Sequence, residues 1–86
     1  MSKEEIYKQL KDFLIDRFEL PFGDDPDLGD ETHLYDDGFI DSMDTLVLLT
    51  FLEKTFQIKV ETQDLLDSPI NTVQEIVDFV FARKAP

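Results

Sequence analysis

Ser42 stands in the stretch Gly38-Phe39-Ile40-Asp41-Ser42-Met43-Asp44, flanked by acids and followed by an apolar run of helical spacing. The spacing puts its hydroxyl in the first turn of a helix. Backbone N–H groups there lack intrahelical partners, and the helix dipole adds positive potential, so a phosphate ester is well held at such a place. The residues alone favour an ordinary serine in a first helical turn, a position such residues commonly take. A nucleophilic serine would need a base within hydrogen-bond reach and oxyanion donors. The single histidine, His33, falls in the preceding acidic segment, and no Gly-x-Ser-x-Gly elbow occurs. A small hydrolase built on Ser42 and His33 is the weakest reading. Attachment suits this serine better than catalysis, and no catalytic residue or enzymatic activity is expected.

The acids invite a calcium reading at Asp25-Pro26-Asp27-Leu28-Gly29. However, Gly29 occupies the fifth loop position, where an oxygen ligand belongs, and Asp36 rather than Glu stands at the twelfth. No specific metal site is expected, and Asp24/Asp25 and Asp36/Asp37 read as solvated pairs. There are 20 acids against 8 Lys and Arg, a formal net charge of -12. Nucleic acid and anionic membranes both need a basic face, so neither is an expected partner. No Lys or Arg lies between Arg17 and Lys54, so a field of one sign surrounds Ser42. Such charge can simply keep a small domain soluble or steer basic partners, and its concentration around Ser42 favours steering.

With 86 residues the chain is expected to form one domain, 1–86, with a stability of roughly 4–13 kcal/mol by per-residue scaling. Hydrophobic residues make up 42%, enough for a core. The absence of Cys excludes disulfides, thiolate metal sites and a Cys nucleophile. No charged-then-apolar leader is read, and no apolar run approaches the ~18 residues of a membrane span. A cytoplasmic monomer is the expectation.

The elements that must position Ser42 are helical. Ser2 and Glu5 fit a capping box, followed by Ile6, Leu10, Phe13 and Leu14 at helical spacing. Pro21 and Gly23 are expected to stop this helix. A loop from about Glu19 to Asp41 follows, longer than compact domains usually carry. Leu28, Leu34, Tyr35 and Phe39/Ile40 are its expected anchors. Asp41 is the expected N-cap of a second helix to about Phe56, with Thr45, Leu48, Leu49, Leu52 and Phe56 as its inner stripe. Val47 and Phe51 lie to the sides, so the helix is surrounded or offers an apolar strip to a partner. Gln57-Ile58-Lys59-Val60 reads as an extended connector and Thr62 to Asp67 as a short helix, interrupted by Ser68-Pro69. Thr72 and Glu75 fit another capping box for a last helix to about Arg83, with Val73, Ile76, Val77, Val80 and Phe81 expected inside. The expected fold is all-α: a small four-helix bundle of three longer helices and one short, with a long loop between helices one and two.

Asp41-Ser42-Met43, after a loop glycine and before Leu48, Leu49, Leu52 and Phe56, resembles the acyl carrier protein family. The likeness spans nearly the whole chain, including the Phe56-x-Ile58 exit and the Thr72-Val73-Gln74-Glu75 start of the last helix. It implies a 4'-phosphopantetheine on Ser42, installed from coenzyme A by a phosphopantetheinyl transferase. Asp41 would cap the helix and help present Ser42. Met43, Asp44, Val47 and Glu53 would form a partner-facing strip. Partners would be that transferase, an acyl- or aminoacyl-loading ligase, and acyl-transferring enzymes with basic patches. Two departures from the fatty-acid carriers stand out. Gly38 lies three residues before Asp41, a spacing more similar to D-alanyl carriers and to stand-alone carriers loaded by adenylating enzymes. Val47 occupies a usually acidic position, and Lys54 falls in a usually acidic stretch. Acyl carriage for fatty acid, polyketide or related biosynthesis is the first reading, aminoacyl carriage the second. An acidic interaction domain with no covalent cofactor is the third.

Overall fold

Ser2 caps the first helix as its spacing from Glu5 predicts. The Glu5 N–H donates to Ser2 Oγ at 3.2 Å and the Ser2 N–H donates back to Glu5 Oε1. The computed structural model describes residues 2–67 and 70–84, the side chains of 65–67 apart. Among the described residues it contains four α-helices and no strand: α1 (Lys3–Phe18), α2 (Ser42–Phe56), α3 (Thr62–Asp67) and α4 (Val73–Lys84). None is long and apolar enough to cross a membrane. The fold is the expected all-α arrangement of three longer helices and a short one. The expected interruption at Ser68-Pro69 lies outside the described residues.

Ile6, Leu10 and Leu14 bury one stripe of α1, Leu48, Leu52 and Phe56 one of α2, and Val73, Ile76, Val77 and Val80 one of α4. Each such side chain contributes about 1.5–3 kcal/mol when fully removed from water. Helix α1 packs chiefly on α4. Phe81 departs from expectation. It is 38% exposed, and Phe79 is buried instead. Positions 73, 76, 77 and 80 complete the stripe. Phe81 lies a further 100° round the helix, where the Lys3 ammonium sits 5.2 Å from its ring.

The C-terminal ends of α1 and α2 lie close to where the sequence places them, but the left-handed residues that close them carry no sequence signature. Helix α1 stops before Pro21, because Glu19 turns left-handed (φ 56°) and its N–H donates to the Ile15 carbonyl at 2.9 Å. Gln57 is likewise left-handed after α2 (φ 54°), a place glycine usually takes. Lys84 reaches across from α4 and donates to the Phe56 carbonyl at 2.8 Å, putting a cation on the negative end of α2. At the start of α4 the Thr72–Glu75 box forms as expected, with both bonds at 3.1 Å.

The long loop is pinned rather than loose. The Leu34 N–H donates to the Asn71 carbonyl, and the Gln74 N–H donates to the Asp30 carbonyl, both at 3.0 Å. Leu20, Leu28, Leu34 and Ile40 are buried in the same core as the helices. From the other side Tyr7 donates to Asp30 Oδ1, and Lys11 donates to the Tyr7 hydroxyl at 2.9 Å. That bond to Tyr7, with the charge of Asp30 beside it, raises Lys11 above the usual lysine value. These ties fix the path by which the loop returns to α2.

Candidate functional site

Ser42 is the first residue of α2, and Asp41 before it is extended (φ -107°, ψ -173°). The Asp41 carboxylate accepts the Asp44 N–H at 2.8 Å, and the Asp44 carboxylate accepts the Asp41 N–H at 3.2 Å. The expected cap is therefore a full reciprocal box, whose signal is the acid three residues after Asp41. Both carboxylates are engaged with backbone donors.

The Ser42 hydroxyl is exposed and lies 3.2 Å from the phenol oxygen of Tyr35, seven residues away. A folded-back turn brings them together. The Phe39 and Ile40 N–H groups both donate to the Leu34 carbonyl, at 2.9 and 3.1 Å, and the Gly38 N–H donates to the Tyr35 carbonyl at 3.1 Å. Gly38 holds φ +86°, which side-chain-bearing residues rarely adopt, although a Cβ there would touch nothing within 4 Å. The glycine serves conformation rather than space. Tyr35 was an expected core anchor, yet it is 52% exposed; Leu34 beside it takes the buried place.

Behind Ser42 and Tyr35 a cavity of about 330 Å³ runs into the bundle. Its walls are mostly apolar, with Ile40, Leu48, Leu49, Leu52, Ile70 and Ile76, and Thr45 and Asn71 add polar groups. Ser42 and Tyr35 line it and are exposed, so they form part of its rim. Packing between elements makes this space, and no local pattern signals it.

The other expected site residues separate into two groups. Met43 is 72% exposed and half-buried Val47 follows it by one turn; Leu46, which the sequence did not mark as a site residue, is 63% exposed beside them. Together with Asp44 they occupy the opening turns of α2. Glu53 stands roughly 15 Å further along the axis at the usual rise. Its Oε2 accepts the Val60 N–H at 3.0 Å and so holds the connector after α2. His33 pairs with Asp36, Nδ1 to Oδ2 3.6 Å, and is not hydrogen-bonded to Ser42.

Residues 8–80 match the family described as PP-binding, phosphopantetheine attachment site. The chain belongs to this family of carrier proteins. It is 40% identical over 68 residues to the D-alanyl carrier protein of Streptococcus uberis, covering 78% of this chain and 85% of that one. It is 32% identical over 79 residues to the acyl carrier protein of Thermotoga maritima, covering 92% and 91%. The family's cofactor is a covalently attached 4'-phosphopantetheine. Its members are generally not catalytic themselves and work with modifying and acyl-transferring enzymes. The site suits such a group. A phosphodiester needs an accessible hydroxyl, hydrogen-bond donors and carboxylates turned elsewhere. Ser42 is exposed, a phenol lies beside it, and the two nearest acids in sequence are closed into their box.

Proposed function

We propose that the whole chain acts as one carrier unit, holding acyl intermediates as thioesters on a 4'-phosphopantetheine attached to Ser42. It delivers them to enzymes of fatty acid, polyketide or related biosynthesis. The observation that carries this is the place of Ser42, an exposed hydroxyl opening α2 at the rim of an apolar cavity. In attachment, a base of the transferase takes the Ser42 hydroxyl proton, and Oγ bonds to phosphorus as the pyrophosphate link of coenzyme A breaks and the adenosine bisphosphate leaves. The bound arm supplies a thiol, which a chain without cysteine lacks. Asp41 holds the first turn in place so that Ser42 is presented at the surface. His33 Nδ1 lies 3.6 Å from Asp36 Oδ2, and among the described residues no hydrogen bond joins it to Ser42, which favours a substrate of the transferase over an enzyme.

Met43, Asp44, Leu46 and Val47 form the partner-facing strip in this reading, apolar with an acidic edge. Glu53 serves α2 and its connector first. The acidic surface favours rapid, salt-sensitive encounters with basic partners.

The cavity favours an apolar cargo. The identity to a D-alanyl carrier and the Gly38-to-Asp41 spacing favour the second reading, an aminoacyl group loaded by an adenylating enzyme. A loading assay separates them. The phosphopantetheinylated protein is offered ligases that activate fatty acids or D-alanine, and hydroxylamine-labile product is weighed. Fatty-acyl product alone supports the first reading; D-alanyl product alone replaces it with the second.

A further inference from the structure

We propose that Tyr35 is a positioning residue for the prosthetic arm, its hydroxyl donating to the phosphodiester on Ser42. This rests on Ser42 as the attachment residue. In the free protein the two oxygens lie 3.2 Å apart and either can donate. Esterification removes the serine proton, so Oγ can then only accept. The added phosphate brings further acceptor oxygens, a negative charge and no donor. The phenol thereby becomes the fixed donor of the pair, and a bond to a charged oxygen is roughly twice as strong as a neutral one.

The surroundings explain the need for such a donor. Asp36, Asp37, Asp41 and Asp44 crowd the serine in sequence, and no Lys or Arg lies between Arg17 and Lys54. The reciprocal box consumes the Asp44 N–H, so the first turn of α2 keeps only the Ser42 and Met43 N–H groups for an anion. Tyr35 is held ready by its backbone, through the turn closed by Gly38, while Ser42 is its one side-chain hydrogen-bond partner among the described residues. The same two residues line both the apolar cavity and a shallow groove on the outer side with Phe39, Asp41 and Asp44. A donor at this point fixes the first atoms of the arm where the way in and the way out divide.

Phosphorus NMR of the phosphopantetheinylated native protein, Tyr35→Phe and Tyr7→Phe tests this. The phosphorus resonance should move in Tyr35→Phe and stay at its native position in Tyr7→Phe. A second measurement needs no substitution. The chain has two tyrosines, so carbon-13 at tyrosine Cζ yields two signals. Conversion from the free to the phosphopantetheinylated form should move that of Tyr35 and leave that of Tyr7. An unmoved phosphorus resonance in folded Tyr35→Phe, or an unmoved Tyr35 Cζ signal in the native chain, overturns the assignment while the arm itself stands. If the native protein gains no arm at all, the Ser42 reading fails and Tyr35 falls with it.

Discussion

The Asp41 carboxylate accepts the Asp44 N–H at 2.8 Å while the Asp44 carboxylate accepts the Asp41 N–H at 3.2 Å. This mutual bond sets where α2 begins, and so where Ser42 is shown. Asp41→Ala should cost about 1 kcal/mol, the usual worth of an N-cap. For a domain of this size that lowers the Tm by roughly 4–8 °C. Asp41→Asn, which still accepts, should lose much less. Thermal denaturation followed by circular dichroism checks both, and an unchanged Tm in Asp41→Ala would contradict the cap.

Leu52 and Leu46 share α2 but not its environment: Leu52 is 0% exposed and Leu46 63%. Leu52→Ala removes packed methyl groups from the core and should cost about 2–5 kcal/mol. Leu46→Ala should stay within about 0.5 kcal/mol, as surface changes usually do. If the strip at the start of α2 meets partners, Leu46→Ala should nevertheless slow modification by the transferase. Urea unfolding and a modification time course, run on both variants, test the division. Equal stability losses would show that the buried stripe has been misassigned.

What the chain disclosed before folding was local. Ser2 with Glu5 and Thr72 with Glu75 announce helix starts because a cap satisfies orphan donors within three residues. The inner stripes of α1 and α2 follow from helical spacing alone. The ends of α1 and α2 fall where the sequence places them, near Phe18 and Phe56, but the left-handed turns of Glu19 and Gln57 that close them had no local signature, since side-chain-bearing residues seldom take that conformation. Val73, Ile76, Val77 and Val80 keep the expected stripe, but Phe79 rather than Phe81 joins it, because Phe81 lies past the edge of the stripe, beside Lys3. At the site, Ser42 and Asp41 were legible from type and spacing. The approach of Tyr35 was not, because it depends on the Leu34-to-Ile40 turn and on the tie between Leu34 and Asn71. The cavity needs three elements at once and has no local signature. Glu53 looked like surface, yet its acceptor for Val60 is a contact across the end of α2.

Asp64 links acidity to stability. The Glu61 N–H and then the Arg83 guanidinium hold its carboxyl below the ordinary aspartate value. A carboxyl lowered on folding stabilises fully above its unfolded value of about 3.9, and that share is lost as pH falls through the lower folded value. Asp64→Asn should therefore be less stable than the native chain by a constant margin above about pH 5, and the margin should shrink below about pH 4. Urea unfolding at several pH values reads this directly. A margin that grows on acidification would reverse the sign and refute the linkage.

The net charge of -12 opposes the compact state. Salt at about 0.15 M shortens the screening length to about 8 Å, so the Tm should rise with added sodium chloride, and millimolar divalent cations should act in the same direction. The rate of modification by a basic transferase should fall over the same salt range, because steering is screened as well. Scanning calorimetry and a modification assay across one salt series check the pair. A flat or falling Tm would show that the crowded acids cost the fold nothing.

The attachment itself is tested most directly by mass. The native protein and Ser42→Ala are each incubated with coenzyme A and a phosphopantetheinyl transferase, then weighed intact. The native chain should gain one phosphopantetheine and Ser42→Ala none. No gain on the native chain, or an equal gain on Ser42→Ala, would contradict Ser42 as the point of attachment.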